Sequence, residues 1–342
     1  MSSSHADNGS DMHHTIAPIA CKPWSLNGLS ERLIVSHYEK NYGAAVRSLN
    51  EIRTELGMLD LATTPEHRIR AIKREELAAM GSVCLHELYF GTLGGDGATR
   101  FTGSGPGTQM DGPASTALER QFGSVAAWRR EFVALARALS HGSGWAVLMY
   151  SRRDRRLYNQ IADDHSRAMI DAVPLLALDM FEHAYHLDFG ANVSAYIDAF
   201  MRNIDWRVVD DRLMDASGNH APAVGNESGD ALASVSVEEL SVALSTNERI
   251  QVLDARPKHY FSRTNDMMQG AVWRDPDQID EWSAELSPDA PVVVYCAYGY
   301  AVGCGVTAVL RERGFNAKYI RGGLSAWYAS GGERALKPQS NA

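Results

Sequence analysis

The chain reads as two domains of different class: an α+β domain followed by a smaller α/β domain with a mainly parallel sheet. Three observations carry this reading. Helix-spaced apolar residues run from 29 to 90, then give way between 144 and 179 to short apolar runs of strand length. Residues 214–234 (MDASGNHAPAVGNESGDALAS) are rich in Gly, Ala, Ser and Asn and have no periodicity, which is the composition of a linker. Beyond them strand and helix patterns alternate to the end of the chain, the order that builds a parallel sheet.

The elements are taken in chain order. Residues 1–24 read as a disordered polar tail; its His5, His13 and His14 offer a metal-binding cluster only as an alternative. The tail lacks a basic start and an apolar stretch, so no secretory signal is expected, and no apolar run reaches membrane-spanning length. In the first domain, 25–213, Leu29, Leu33, Val35, Val46, Leu49, Ile52 and Leu56 mark one helix over 29–56, and 66–90 carries a second. Trp145, Val147, Leu148 and Met149 mark a strand, Leu157, Tyr158 and Ile161 another, and Val173 to Leu178 a third that ends at Asp179. Ser194 to Met201 returns to helical spacing. In the second domain, 235–335, Ser236 and Glu239 form a capping box at a helix start. Strands are expected at 250–254, 291–295 and 318–320, and helices at 301–313 and around Trp327, with 336–342 as a closing tail.

At 45% hydrophobic and 22% charged, the 342 residues have a globular composition with room for two cores. The net charge of −9 argues against a nucleic-acid or anionic-membrane partner. Cys21, Cys84, Cys296 and Cys304 fit neither a zinc module nor a disulfide framework, which points to the reducing cytoplasm.

The segment Asp179-Met180-Phe181-Glu182-His183-Ala184-Tyr185 holds a carboxylate and an imidazole, and His37 and His86 lie in predicted helices. Three imidazoles and one carboxylate suit iron, manganese or zinc better than calcium or thiolate-seeking metals. Ordered landmarks surround these residues: Ser36-His37-Tyr38-Glu39-Lys40, Cys84-Leu85-His86-Glu87-Leu88-Tyr89-Phe90, Phe122-Gly123-Ser124, Gly142-Ser143-Gly144-Trp145 and Asn203-Ile204-Asp205-Trp206. With them, residues 29–213 resemble the iron/manganese superoxide dismutases.

The resemblance implies a helical hairpin followed by a helix-and-sheet half. It also implies one Fe or Mn ion per chain on His37, His86, Asp179 and His183, and conversion of superoxide to dioxygen and hydrogen peroxide. Neutral imidazoles and a single carboxylate keep the site's charge low enough for two oxidation states, and a bound cation acidifies its water for proton transfer. The resemblance places Phe90, Trp145 and Phe181 in an aromatic shell and His165 on the bound solvent, the other reading of His165 being a surface-loop histidine. It implies a homodimer or higher homo-oligomer in which Glu182 bonds the partner subunit's His183. Three positions depart from the family pattern: Asn41 and Ala45 stand where it has His and Tyr guarding the substrate channel, and His186 stands where it has Tyr. An altered proton route is therefore expected, with steering of superoxide on this acidic chain confined to local groups.

In the second domain Cys296 stands at a strand end, before a glycine-bearing loop that enters a helix. Loop N–H groups and a helix start stabilise a thiolate or a bound anion at such a place. The segments Leu253-Asp254-Ala255-Arg256, Val293-Val294-Tyr295-Cys296-Ala297-Tyr298-Gly299 and Tyr319-Ile320-Arg321-Gly322-Gly323-Leu324-Ser325-Ala326-Trp327 make residues 235–335 resemble a rhodanese domain. The resemblance implies that Cys296 takes sulfur from a sulfane-sulfur donor as a persulfide and passes it to a thiol acceptor. The persulfide loop would be Ala297, Tyr298, Gly299, Tyr300, Ala301 and Val302, with no cation where rhodaneses commonly place Arg. Such loops resemble those of chromate-resistance-associated rhodanese-like proteins. Cys304, eight residues on, reads either as a resolving thiol or as a packed helix residue.

These residues support three functional readings. The first is a dismutase fused to a sulfurtransferase in oxidative or oxyanion stress defence. The second confines catalysis to the rhodanese half and makes the other a metal-binding dimerisation module. The third is a non-enzymatic metal and sulfur stress sensor.

Overall fold

The computed structural model describes residues 13–94, 112–140, 142–167, 170–218, 232–246 and 249–337. They fall into two compact units: residues up to 218 except 15–19, and residues 15–19 with those from 232 on.

In the first unit Ser30 caps α1 (Glu31–Ser36), its side chain accepting from the Leu33 N–H. The helix expected over 29–56 is not uniform: a π-helical turn, His37–Tyr42, separates α1 from α2 (Gly43–Met58). The extra residue in such a turn rotates the helix beyond it, and here Leu33 and Ile34 before it and Val46 and Leu49 after it are all buried. The turn itself buries His37, Tyr38 and Tyr42. The long helix α3 (Glu66–Thr92) packs against α2, completing the expected hairpin.

Next, α4 (Pro113–Phe122) ends at Gly123, whose positive φ of 82° suits a residue without a Cβ, and Ser124 caps α5 (Val125–Ala138). Three antiparallel strands come after α5, β1 (Trp145–Ser151), β2 (Arg156–Ala162) and β3 (Ala172–Asp179), with β1 in the centre. The register sets Trp145 opposite Asp179 at one end of the sheet. Helices α6 (His186–Phe189), α7 (Val193–Arg202) and α8 (Trp206–Ser217) close the unit.

Unit two is built on a parallel sheet whose strands lie in the order β4 (Ser234–Val235), β9 (Ala317–Ile320), β8 (Val292–Tyr295), β5 (Gln251–Asp254) and β7 (Val272–Trp273). In chain order its elements are β4 (Ser234–Val235), α9 (Val237–Ser245), β5 (Gln251–Asp254), α10 (Lys258–Phe261), β6 (Asp266–Met268), β7 (Val272–Trp273), α11 (Ile279–Trp282), β8 (Val292–Tyr295), α12 (Ala301–Glu312), β9 (Ala317–Ile320), α13 (Gly323–Ala329) and β10 (Arg334–Leu336). The capping box at Ser236 and Glu239 is present. Leu253, Val292, Val294, Trp282 and Leu310 centre the core between sheet and helices.

Three boundaries differ from the sequence reading. The tail expected over 1–24 is structured in its described part: Ile16, Ile19 and Cys21 are buried. The Ile16 N–H donates to Glu238 at 2.9 Å, and the Tyr300 hydroxyl donates to the Ile19 carbonyl at 2.6 Å. The residues 214–217 expected in the linker form the last turn of α8, because Ala216 continues the buried face of Val209 and Leu213. Residues 219–231 of the expected linker lie outside the described residues, as does His5. At the other end β10 carries its pairing to Leu336, opposite Asp266, inside the expected closing tail.

Candidate metal centre and sulfur-transfer loop

Four residues from separate elements meet at the end of the three-stranded sheet. His37 comes from the π-helical turn, His86 from α3, Asp179 is the last residue of β3, and His183 lies four residues on in a short 3-10 turn. One ligand atom from each lies within 4.8 Å of all the others. Asp179 Oδ2 is the hub: it is 3.1 Å from His37 Nε2, 3.2 Å from His183 Nε2 and 3.8 Å from His86 Nε2. The other carboxylate oxygen is taken, accepting the Phe181 N–H at 2.8 Å, and the Asp179 carbonyl accepts the Tyr196 hydroxyl at 2.7 Å.

The tautomer of His86 can be derived. Its Nδ1 lies 2.7 Å from the Ser82 carbonyl, which only accepts, so in the neutral ring Nδ1 carries the proton. Nε2 is then a bare lone pair, and it is buried without a hydrogen-bond partner. An orphaned acceptor costs free energy unless a cation occupies the site. Three imidazole nitrogens and one carboxylate oxygen, converging in a buried pocket, fit an iron or manganese ion.

Electrostatics agree with neutral rings around an anion. Burial pushes His37 below its ordinary value, and burial with the nearby His37 pushes His86 down to about 3. Burial alone would raise Asp179, but hydrogen bonds from His183 and His37 outweigh it and hold the carboxyl well below the usual range.

These shifts give the metal-stripped protein a pH dependence. The folded His86 value lies below the unfolded 6.5, so its stabilising contribution is complete above pH 6.5 and is lost as pH falls from 6.5 towards 3. Asp179 adds a second loss only at still lower pH, as the unfolded carboxylate begins to protonate. Thermal melts of chelator-treated protein should therefore hold level above pH 6.5 and decline steadily below it. A midpoint unchanged down to pH 4 (about the ordinary carboxylate value) would contradict neutral buried histidines.

An aromatic shell surrounds the four residues. Phe90 stands 5.0 Å from His37, and Trp145 meets His86 edge-on at 5.2 Å, a contact set by the Trp145–Asp179 strand register. Phe181 stacks on His183 at 5.6 Å and on His165 at 4.8 Å. The His165 ring is half-buried, 6.2 Å from His86, and its Nε2 is buried without a partner. Burial lowers its affinity for a proton. Glu182 and His186 are exposed. Asn41 and Ala45 are half-buried on the π-helical turn and the first turn of α2.

Sequence reasoning missed several supports. Ser82 fixes His86, and Tyr196 holds the Asp179 backbone. Gly81, inside α3, lets the His165 backbone lie against the helix, since a Cβ there would strike the His165 carbonyl. A glycine in a helix interior costs about 1 kcal/mol against alanine, and that cost is the signal that could have found it.

In the second unit Cys296 directly follows β8 and is buried. The chain turns through Ala297–Tyr300 into the N-terminus of α12, with the exposed Ala301 as its first residue. Gly299 makes the turn at φ +74°, and a Cβ on it would sit 2.5 Å from the Gly322 N. The strand-to-helix turn at Gly322-Gly323 thus packs on the loop. The N–H groups of Leu324 and Ser325 donate to the Cys296 and Ala297 carbonyls at 2.9 and 3.0 Å. The Cys296 Sγ lies 3.9 Å from the Tyr300 carbonyl. Tyr298 is buried, and Val302 half-buried. Gly303, one helical turn in, faces the sulfur: a Cβ there would lie 3.4 Å from Sγ, so glycine keeps space beside it. Cys304 Sγ is 3.8 Å from the Gly299 carbonyl, and burial, then Cys296, push its thiol up.

Comparison with known proteins agrees with this geometry. Residues 110–212 match the family of iron/manganese superoxide dismutases, C-terminal domain. A superoxide dismutase [Fe] of Cupriavidus metallidurans is 50% identical over 196 residues, covering 57% of this chain and 94% of that protein. The chain belongs to the iron/manganese superoxide dismutases. Its dismutase unit is also 33% identical to a superoxide dismutase [Fe] of Aquifex pyrophilus over 201 residues, covering 57% of this chain and 89% of that one. A superoxide dismutase [Mn] 1 of Halobacterium salinarum is 29% identical over 191 residues, covering 55% of this chain and 88% of that one. Beyond the dismutase unit, residues 236–330 match the rhodanese-like domain. Among the described residues no helix is long and apolar enough to cross a membrane.

Proposed function

We propose that the first unit dismutates superoxide at a single iron or manganese ion held by His37, His86, Asp179 and His183, and that the second is a sulfurtransferase acting through Cys296. The observation that carries the first half is the convergence of three histidine nitrogens and Asp179 Oδ2 within 4.8 Å, with a bare, buried lone pair on His86. An ion held there would supply the one-electron chemistry by which one superoxide is oxidised to dioxygen and a second, taking up two protons, is reduced to hydrogen peroxide.

The chain's own residues do the rest. Asp179 contributes the one negative charge, which keeps both oxidation states accessible. Phe90, Trp145 and Phe181 exclude bulk water and fix the imidazole planes. His165, with a buried and unpaired Nε2, is assigned to hold solvent at the site by hydrogen bond. Glu182 and the part-exposed His183 support a homodimer closed by reciprocal contacts of this corner. All four cysteines are free, which supports a cytoplasmic protein.

Elemental analysis with a dismutase assay on the full chain tests the first half: about one Fe or Mn per chain with measurable turnover is expected. Stoichiometric zinc without turnover would favour a metal-binding dimerisation module. Position 45 tests the proton route. With alanine there, no hydroxyl stands where the family guards the channel. Ala45→Tyr should raise turnover by about 100-fold, the lower end of the roughly 10²–10⁴-fold worth of a positioned proton donor. An unchanged rate with metal still bound would show that position 45 does not limit proton delivery.

In the second unit the thiolate of Cys296 attacks the outer sulfur of a persulfide donor. The S–S bond to Cys296 forms as the donor's own S–S bond breaks, and the donor leaves as a thiolate. An acceptor thiolate then attacks that outer sulfur and releases Cys296. The space left by Gly303 and the burial of Cys296 support this.

A further inference from the structure

A cleft in the dismutase unit, away from the four metal-facing residues, has a volume of about 980 Å³. Arg152 and Arg155 line it from the turn joining β1 to β2, Arg156 from the first position of β2, and Arg120 from the last turn of α4. The lining residues include a single carboxylate, Asp215. Four exposed arginines thus line one concavity on a chain whose net charge is −9. Carboxylates are abundant, 42 against 33 basic residues, so pairing would have been easy. Yet among the described residues none of the four side chains makes an ion pair, whereas Arg129, Arg167 and Arg207 of the same unit do. Like charges gathered without partners repel one another, and an anion in the cleft relieves that repulsion.

Shape and chemistry narrow the anion. Each guanidinium is a planar fork that binds phosphate or carboxylate oxygens two at a time. Four forks call for an anion with several charges. The volume lies at the upper end of small-ligand sites, about 300–1,000 Å³, and leaves room for more than one phosphate. Leu157 and Leu213 are buried beside the guanidiniums, and Tyr150 adds an aromatic ring, so one wall suits an apolar or planar group. Arg155 itself has a φ of +52°, a conformation that glycine adopts more easily. An arginine thus stands at a position where the backbone would prefer no side chain.

We infer that this cleft binds a small polyphosphate anion, its phosphates held by Arg120, Arg152, Arg155 and Arg156.

Calorimetric titration of the metal-loaded full chain, at physiological salt, tests this with two probes: ATP and inorganic tripolyphosphate. Saturable binding of either is expected. Tighter binding of ATP would identify a nucleotide, with its base on the Tyr150 wall, and equal binding a free polyphosphate. Arg155→Gly removes one guanidinium and relieves the backbone at once, so affinity should fall by about tenfold or more while the melting temperature does not drop. Arg152→Ala should fall similarly. Arg153→Ala, in the same turn but not lining the cleft, should bind as the parent does. Failure of both probes to bind below about 1 mM, weaker than the micromolar affinity of an ordinary specific site, would overturn the inference. So would equal losses in Arg153→Ala and Arg155→Gly, since general surface charge would then account for the binding.

Discussion

Asp179→Asn should cost the protein its metal and lower dismutase turnover by about 100-fold or more, beyond the roughly 10–100-fold typical of partners outside the ligand set. The side chain keeps its size, so the change isolates charge. Asp179 Oδ2 is the one atom near all three imidazoles, at 3.1, 3.2 and 3.8 Å from them. Without its charge, three neutral nitrogens face a divalent or trivalent cation in a buried pocket, where an uncompensated charge is expensive. The metal-stripped fold should survive, because the Oδ1 bond from Phe181 and the carbonyl bond from Tyr196 are both retained. Metal content per chain, measured beside a melting curve, separates loss of the ion from loss of the fold. Stoichiometric metal in a folded Asp179→Asn protein would remove Asp179 from the ligand set. His183→Ala should lose metal too, and should also weaken a dimer closed through Glu182; a variant that keeps its dimer while losing metal would leave the ligand role and remove the interface role.

The helices, the strands and the four converging residues were legible because apolar periodicity and ordered motifs are properties of neighbouring residues. The features that were not legible depend on contacts distant in sequence or on breaks in period. The π-helical turn at His37–Tyr42 inserts a residue into a pattern read with a 3.6-residue period. Ser82 is a helix residue whose backbone carbonyl, 2.7 Å from His86 Nδ1 against 3.3 Å for its hydroxyl, orients the ring, and a sequence does not display a carbonyl's direction. His165 read equally as loop or site residue because only the fold stacks it on Phe181 and leaves its Nε2 facing inward. The burial of Ile16 and Ile19 escaped notice because two apolar residues in a polar stretch make no period. In the second unit the alternation of strand and helix was enough to give the parallel sheet, and Gly303 carried an unread signal, a helix glycine beside a reactive cysteine.

Cys296→Ser should abolish persulfide formation altogether, while Cys304→Ser and Cys84→Ser leave it intact. A serine oxygen in the same place cannot form the sulfur–sulfur bond that stores the transferred atom, so the loss is of kind and not of degree. The competing thiols are held back by their surroundings. Burial pushes Cys21 up to about 12, and burial together with Cys296 raises Cys304, so both remain protonated near neutral pH and attack slowly. Cys304 also sits in the second turn of α12, its Sγ directed at the Gly299 carbonyl. Cys296 instead lies at the foot of the loop, beside the space that Gly303 leaves. That space gives a graded companion test: Gly303→Ala puts a methyl 3.4 Å from Sγ and should slow persulfide formation without unfolding α12. The loop's charge can be tested at Ala301, which is exposed at the helix start and supplies no cation. Ala301→Arg should improve use of thiosulfate, a dianion, relative to a neutral persulfide donor, because only the dianion gains from a fixed positive charge. Mass spectrometry of peptides after donor treatment locates the added sulfur. Sulfur on Cys304 and not on Cys296 would overturn the assignment and make the strand-end cysteine structural.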